Sequence, residues 1–286
     1  MPHHIERRSI ASAWLEAMEY LVKCPDGKAV NLAVTVAADR DPEPAGLPEL
    51  VDDFVRPISG RPSTIQTVAN TIFPNSLYLP QLGDDAAAHL YEHHQMGRSV
   101  RNRIRGRTDE HYFDRLVAWP GTDRLVNQLD VVISRMKSSR MSSAYELAMS
   151  DPERQPLAAD DYASSSADLR IYNPSKDHQT RGFPCLSHIS LTKKSGVLHM
   201  TAMYRNQAFL RKAYGNLLGL SSLLKYISDR CHLEPGELMC VASHADAEIG
   251  TPGCGKRAVA TLLKRCRTVL AGEDGNLALR GPVKLP

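Results

Sequence analysis

Between residues 8 and 22, Ile10, Trp14, Met18 and Leu21 recur at the spacing that lines one face of a helix. The next stretch, KAVNLAVTVAA, changes period: Val30, Leu32, Val34 and Val36 alternate with other residues, as a strand does. DRDPEPAGLPEL reads as a proline-rich connection. STIQTVANTI, residues 63–72, predicts a short helix with Ser63 as its cap and Pro74 just beyond its end. DDAAAHLYEHHQ predicts a second helix, and residues 123–137 a third, with Leu125, Leu129, Val132, Ile133 and Met136 on one face. Residues 151–180 are rich in Pro, Ser, Asp and Ala and read as an inserted surface loop. Two strands follow, 185–192 and 197–204, joined by KKSG. A long helix is expected at about 208–230, carrying Leu210, Leu217, Leu218, Leu223, Leu224 and Ile227. GELMCVASHA then reads as a strand and KRAVATLLKRCRTVL as a last helix.

Helices and strands are interleaved without an internal repeat, so the fold class is α/β (α+β), a mixed sheet flanked by helices. Residues 1–286 are expected to form a single domain. With 42% hydrophobic and 23% charged residues, the composition is that of an ordinary globular protein. A formal net charge of +3 sets up no global basic field, so nucleic acid is not an expected partner. No run approaches the roughly 18–20 apolar residues of a membrane span. The opening MPHHIERRSI has no apolar core of a secretory signal. The six cysteines include no C-x-x-C pair, which points to a reduced, cytoplasmic setting with free thiols.

Three motifs attract chemistry and lose it on inspection. GTPGCGKR, residues 250–257, fits a phosphate-binding loop except that Arg257 stands where magnesium needs Ser or Thr. A tight glycine turn capping the last helix is the better reading. In GRSVRNRIRGR, Arg98, Arg101, Arg103, Arg105 and Arg107 would form one basic edge on an extended chain. No aromatics interleave to stack bases, so a solvated face is favoured over RNA or a phosphate ester. His89 and His93 lie four apart on a presumptive helix, but no third ligand is evident and no metal is expected.

TRGFPCLSHISL is different. If KKSG closes a hairpin, Cys185 faces Tyr204 or Arg205 across the strand pair. A guanidinium beside the thiol would raise its thiolate fraction. His188 falls on the opposite face of a regular strand and is a poor direct base. The competing reading is a small buried hydrophobe.

The segment from Phe183 to Glu248 resembles the core of thymidylate synthases and their nucleotide hydroxymethylase relatives. It shows Pro184-Cys185, a strand hairpin, Arg205 after a tyrosine, Asn216 opening a long helix, and CHLEPGELM leading into a strand, without a gap. QLDVVISRMKSSRMSSAYE also looks like the family's helix leading to an arginine pair, of which Arg140 matches and Met141 does not. The resemblance implies a thymidylate-synthase-like fold and an enzyme that transfers a methyl or hydroxymethyl group to carbon 5 of a pyrimidine nucleoside monophosphate. Cys185 would add to C6, Arg205 and Arg140 would hold the phosphate, and Asn216 would read the base. The one-carbon donor implied is 5,10-methylenetetrahydrofolate, and the assembly implied is a homodimer.

The same resemblance marks departures. The region of the family's catalytic glutamate carries Gln66 and Thr67, and Glu92, Glu110 and Glu146 are the spare acids. A folate-contacting aspartate reads Ala208. The sugar-binding histidine and tyrosine fall on Asp246 and Glu248, which share a face with His244 if the strand continues. Carboxylates accept from a vicinal diol, so a ribonucleotide is expected to be tolerated or preferred. The rival from another class is a non-catalytic nucleotide-binding protein on the same fold.

Overall fold

The structure is a computed structural model that describes residues 3–37, 42–58, 64–105, 111–121, 124–138, 167–172, 184–250 and 252–272. In chain order the elements are β1 (His3–Arg7), α1 (Ile10–Lys23), β2 (Lys28–Val36), α2 (Leu47–Val55), α3 (Ile65–Ile72), α4 (Ala86–Arg105), α5 (Tyr112–Val117), β3 (Trp119–Pro120), β4 (Leu125–Val126) and α6 (Gln128–Ser138). They continue with β5 (Ala167–Arg170), β6 (Leu186–Lys194), β7 (Val197–Tyr204), β8 (Gln207–Ala208), α7 (Tyr214–Cys231), β9 (Glu234–Asp246) and α8 (Lys256–Leu270).

One mixed sheet organises the molecule, in the order β1-β2-β9-β7-β6-β5, with β8 added beside β9. β1 runs parallel to β2, and β7 parallel to β9; β2 with β9, β7 with β6 and β6 with β5 are antiparallel. Alternation along the strands gives the sheet two unlike faces. Val34, Val36, Leu198, Met200, Ala202, Leu238 and Ala242 are buried with Trp14, Met18 and Leu21 of α1 and Leu217, Leu220 and Leu224 of α7 in one hydrophobic core. Along β7, Thr201 and Met203 point the other way and are exposed.

The helix face expected from Ile10, Trp14, Met18 and Leu21 is buried throughout, and Ser9 rather than a charged residue caps it, accepting from Ser12 N–H at 3.1 Å. The α3 cap is Thr64, accepting from Thr67 N–H at 3.1 Å; Ser63 lies outside the described residues. Glycines set the packing of α7 on α3. A Cβ on Gly215 would stand 2.5 Å from the Ile65 carbonyl oxygen, and one on Gly219 2.6 Å from that of Ala69. Ser195 and Gly196 both have positive φ, the two-residue turn that matches strand twist, and they close the β6–β7 hairpin.

Four expectations are corrected. DRDPEPAGLPEL is only partly connection: Leu47, Val51 and Val55 form the buried face of α2, with Pro48 in its first turn, where a missing N–H costs nothing. Residues 167–170 are a strand rather than loop; residues 151–166 and 173–180 lie outside the described residues. The helix expected from residue 123 begins at Gln128, because Leu125–Val126 pair with Trp119–Pro120. The arginine run is helical, not extended: α4 continues through Arg105, so alternate arginines do not share an edge. Arg107 is outside the described residues.

Candidate functional site

The hairpin brings Cys185 and Arg205 together at the end of the sheet. Arg205 N–H donates to the Cys185 carbonyl at 3.0 Å, and Arg205 Nε donates to the Pro184 carbonyl at 3.1 Å. Backbone and guanidinium therefore both grip the Pro184–Cys185 segment. A register shift between Leu186 and His188 breaks the alternation, so the opposite-face argument for His188, which presumes a regular strand, does not apply.

Tyr112, the first residue of α5, completes this corner. Its phenol oxygen accepts from Cys185 N–H at 3.2 Å and Leu186 N–H at 3.4 Å. Burial raises the Tyr112 phenol above its ordinary range despite these N–H groups. The tyrosine was not legible as a site residue, since 73 positions separate it from Cys185 and no local pattern marks it.

Beneath lies a buried polar layer. Tyr204 and Gln207 are 0% and 2% exposed, yet Tyr204 Oη and Gln207 Nε2 have no hydrogen-bond partner among the described residues. Burial, then the neighbouring Tyr112, Cys240 and Cys185 groups, raises the Tyr204 phenol, so it stays protonated and able to donate. Burial likewise pushes the Cys240 thiol up to about 12, which makes it an inert contact for Gln207 Oε1 at 3.7 Å. Cys254 and Cys266 are buried too, whereas Cys24, Cys185 and Cys231 are half-buried.

Asn216 sits in the first turn of α7, 6% exposed, beside the Gly215 contact with α3. Gln66 and Thr67 of α3 are exposed, and Gln66 Nε2 donates to Asn70 Oδ1 at 2.9 Å. No acid stands on α3. Glu92 is exposed on α4; Glu110, Glu146 and Arg140 lie outside the described residues. β9 ends at Asp246, and Glu248 has a φ of 59°, so the two acids do not alternate along one strand. Asp246 Oδ1 accepts from Glu248 N–H at 2.7 Å and Oδ2 lies 3.7 Å from Lys28 Nζ. Glu248, 7% exposed, accepts from Arg211 N–H at 3.0 Å and pairs with the Arg211 guanidinium. Its carboxylate thus closes the wide helical turn Phe209–Ala213 that leads into α7.

The motifs set aside above have structural roles. Gly255 caps α8 and Gly250 N–H donates to the Cys254 carbonyl at 3.0 Å, a glycine turn before a helix. His89 and His93 stack at 3.9 Å, and each Nδ1 bonds a backbone carbonyl.

A Methanosarcina barkeri protein described as "Putative thymidylate synthase" is 25% identical over 134 residues, 47% of this chain and 50% of that protein. One so described from Methanococcoides burtonii is 23% identical over 173 residues, 58% of this chain and 67% of that protein. A third, from Methanosarcina acetivorans, is 32% identical over 72 residues, 25% of this chain and 33% of that protein. The chain is distantly similar to proteins described as putative thymidylate synthases. It spans about half the length of the M. barkeri protein. No protein-family model matches the chain. The mixed α/β sheet flanked by helices accords with a thymidylate-synthase-like fold. Cys185 and Arg205 flank the β6–β7 hairpin at its open end, and Asn216 lies in the first turn of α7. No helix among the described residues is long and apolar enough to cross a membrane.

Proposed function

We propose that this chain is a transferase acting at carbon 5 of a pyrimidine nucleoside monophosphate through a covalent adduct with Cys185. The observation that carries the reading is the double grip of Arg205 on the Pro184–Cys185 segment, which holds the cysteine backbone and a cationic side chain at one corner of the sheet. The Cys185 sulfur, as thiolate, forms a bond to C6 of the ring. The C5=C6 electron pair moves to C5 and onto the C4 oxygen of uracil or N3 of cytosine, so C5 becomes the nucleophile. Once C5 has taken its new group, loss of the C5 proton returns the pair to the C5=C6 bond and expels the thiolate. Arg205 and Arg140 hold the phosphate, Asn216 reads the base edge, and Tyr204 Oη and Gln207 Nε2 are donors that a polar ligand or water would satisfy. The sugar meets Asp246, with Glu248 behind it as the acceptor for Arg211.

The resemblance names 5,10-methylenetetrahydrofolate as the one-carbon donor. Where it calls for a folate-contacting carboxylate stands Ala208, opposite Asp246 in the β8–β9 register, and Asp246 already bonds Glu248 N–H. The residues do not fit that contact, so the one-carbon donor has no assigned site.

Exchange of the C5 hydrogen tests the reading, because it needs the nucleophile and not the transfer. Wild type should exchange this hydrogen on at least one of UMP, dUMP, CMP and dCMP, and Cys185→Ser should abolish the exchange while nucleotide still binds. Exchange by the serine variant would refute the assignment. Binding without exchange in wild type would favour a non-catalytic nucleotide-binding protein.

A further inference from the structure

α4 and α5 are joined by a buried hydrogen-bonded pair outside the site. His94 Nε2 donates to Asp114 Oδ1 at 2.7 Å, with the two side chains 7% and 0% exposed. Arg98 Nε lies 3.6 Å from the same oxygen. The other oxygen, Oδ2, accepts from His111 N–H at 2.7 Å and so fixes the start of α5. Burial alone would raise the Asp114 carboxyl, but the His94 and His111 hydrogen bonds and the Arg98 charge hold it below the usual range. It is a carboxylate that only accepts, so His94 Nε2 carries the proton.

Two facts make this more than a fastening. A buried pair is desolvated at a cost that apolar residues of the same volume would not incur, so it contributes little stability by itself. What it does fix is direction. α5 has six residues, far below the roughly 12–15 at which an isolated helix becomes even marginal, so its orientation is imposed from outside. His94 also meets Phe113 edge-on at 4.7 Å, and Asp114 ties the turn from which Tyr112 projects. Tyr112 in turn accepts both N–H groups at the Cys185 corner.

We propose that the His94–Asp114 pair is a positioning device for Cys185, acting through Tyr112. The assignment deepens the reading of Cys185 as nucleophile and rests on it. Neither His94 nor Asp114 touches the reacting atoms; they are positioning residues that hold the brace.

The test reads Cys185 itself. In the full chain, alkylation by iodoacetamide is followed peptide by peptide, with half-buried Cys24 and Cys231 as internal references. Asp114→Ala and Tyr112→Phe should each speed alkylation of Cys185 about threefold or more, the scale of one modest hydrogen bond lost. Cys24 and Cys231 should keep their rates. The double variant should react no faster than the quicker single one, because both changes release the same brace. Asp114→Asn, which keeps an oxygen for His111 N–H but turns its amide toward His94 Nε2, should speed alkylation of Cys185 by less than Asp114→Ala. Additive effects, or equal acceleration at all three cysteines, would show a general loosening and overturn the proposal. Should Asp114→Ala fail to fold, His94→Ala is held to the same coupling criterion. C5-hydrogen exchange is measured in parallel on the same proteins. Its absence in wild type defeats the nucleophile, whereas additivity with exchange intact defeats the positioning alone.

Discussion

Arg205 holds the Pro184–Cys185 segment, and the phosphate role proposed for it separates from that one experimentally. Its Nε and N–H are committed to the Pro184–Cys185 backbone, and its guanidinium charge is what the proposed phosphate contact would use. Charge-assisted contacts of this kind contribute about 1.5–3 kcal/mol, so Arg205→Ala should weaken binding of a pyrimidine monophosphate roughly tenfold or more. Calorimetry with the unphosphorylated nucleoside should show a much smaller loss; equal losses would exclude a phosphate role. Cys185 beside Arg205 was legible in the sequence because a hairpin with a short turn fixes which residues meet. Tyr112 was not, because only the folded chain carries it across to the cysteine. The acids were half legible. Asp246 lies on the strand as its alternation required, but the positive φ at Glu248 turns that carboxylate toward Arg211, and no side-chain pattern announces such a turn.

Elements whose apolar residues keep one period were readable: α1, the β6–β7 hairpin, α7, β9 and α8. Those whose punctuation competes with periodicity were not. Pro42, Pro44 and Pro48 masked α2, although a proline in the first turn suits a helix. Short β5 inside a polar stretch exists because β6 offers it a partner, a tertiary cause that local sequence does not express. Packing of α7 on α3 gives the sharpest test at this scale. Gly219→Ala would place a methyl 2.6 Å from the Ala69 carbonyl and 2.9 Å from Ile72 Cβ. Overpacking of this kind costs about 1–3 kcal/mol, so the urea midpoint should fall with the slope unchanged. An unchanged midpoint would mean that α3 is free to move away from α7. That outcome would matter for chemistry, because α3 is the helix where an acid is missing and Asn216 adjoins its contact.

At the scale of the molecule, the sheet face opposite α1 and α7 is where a homodimer can be tested. Met203 is 46% exposed beside exposed Thr201, with half-buried Met239 and Val241 on the neighbouring strand. A second copy of this chain laid against that face would give the homodimer that the family resemblance implies. Light scattering coupled to gel filtration should then find a dimer in wild type and a monomer in Met203→Lys. A monomeric wild type would rule the arrangement out. The strand order has another consequence, for how the chain is made. β9 is the seam of the sheet: β2 pairs it on one side and β7 and β8 on the other. It is also the last strand in chain order among the described residues. On the ribosome, β1 with β2 and β5 through β7 form two separate ribbons, each with an unpaired edge facing outward. No strand pairing among the described residues joins them until residues 234–246 emerge, so both ribbons keep open edges until β9 is sewn between them.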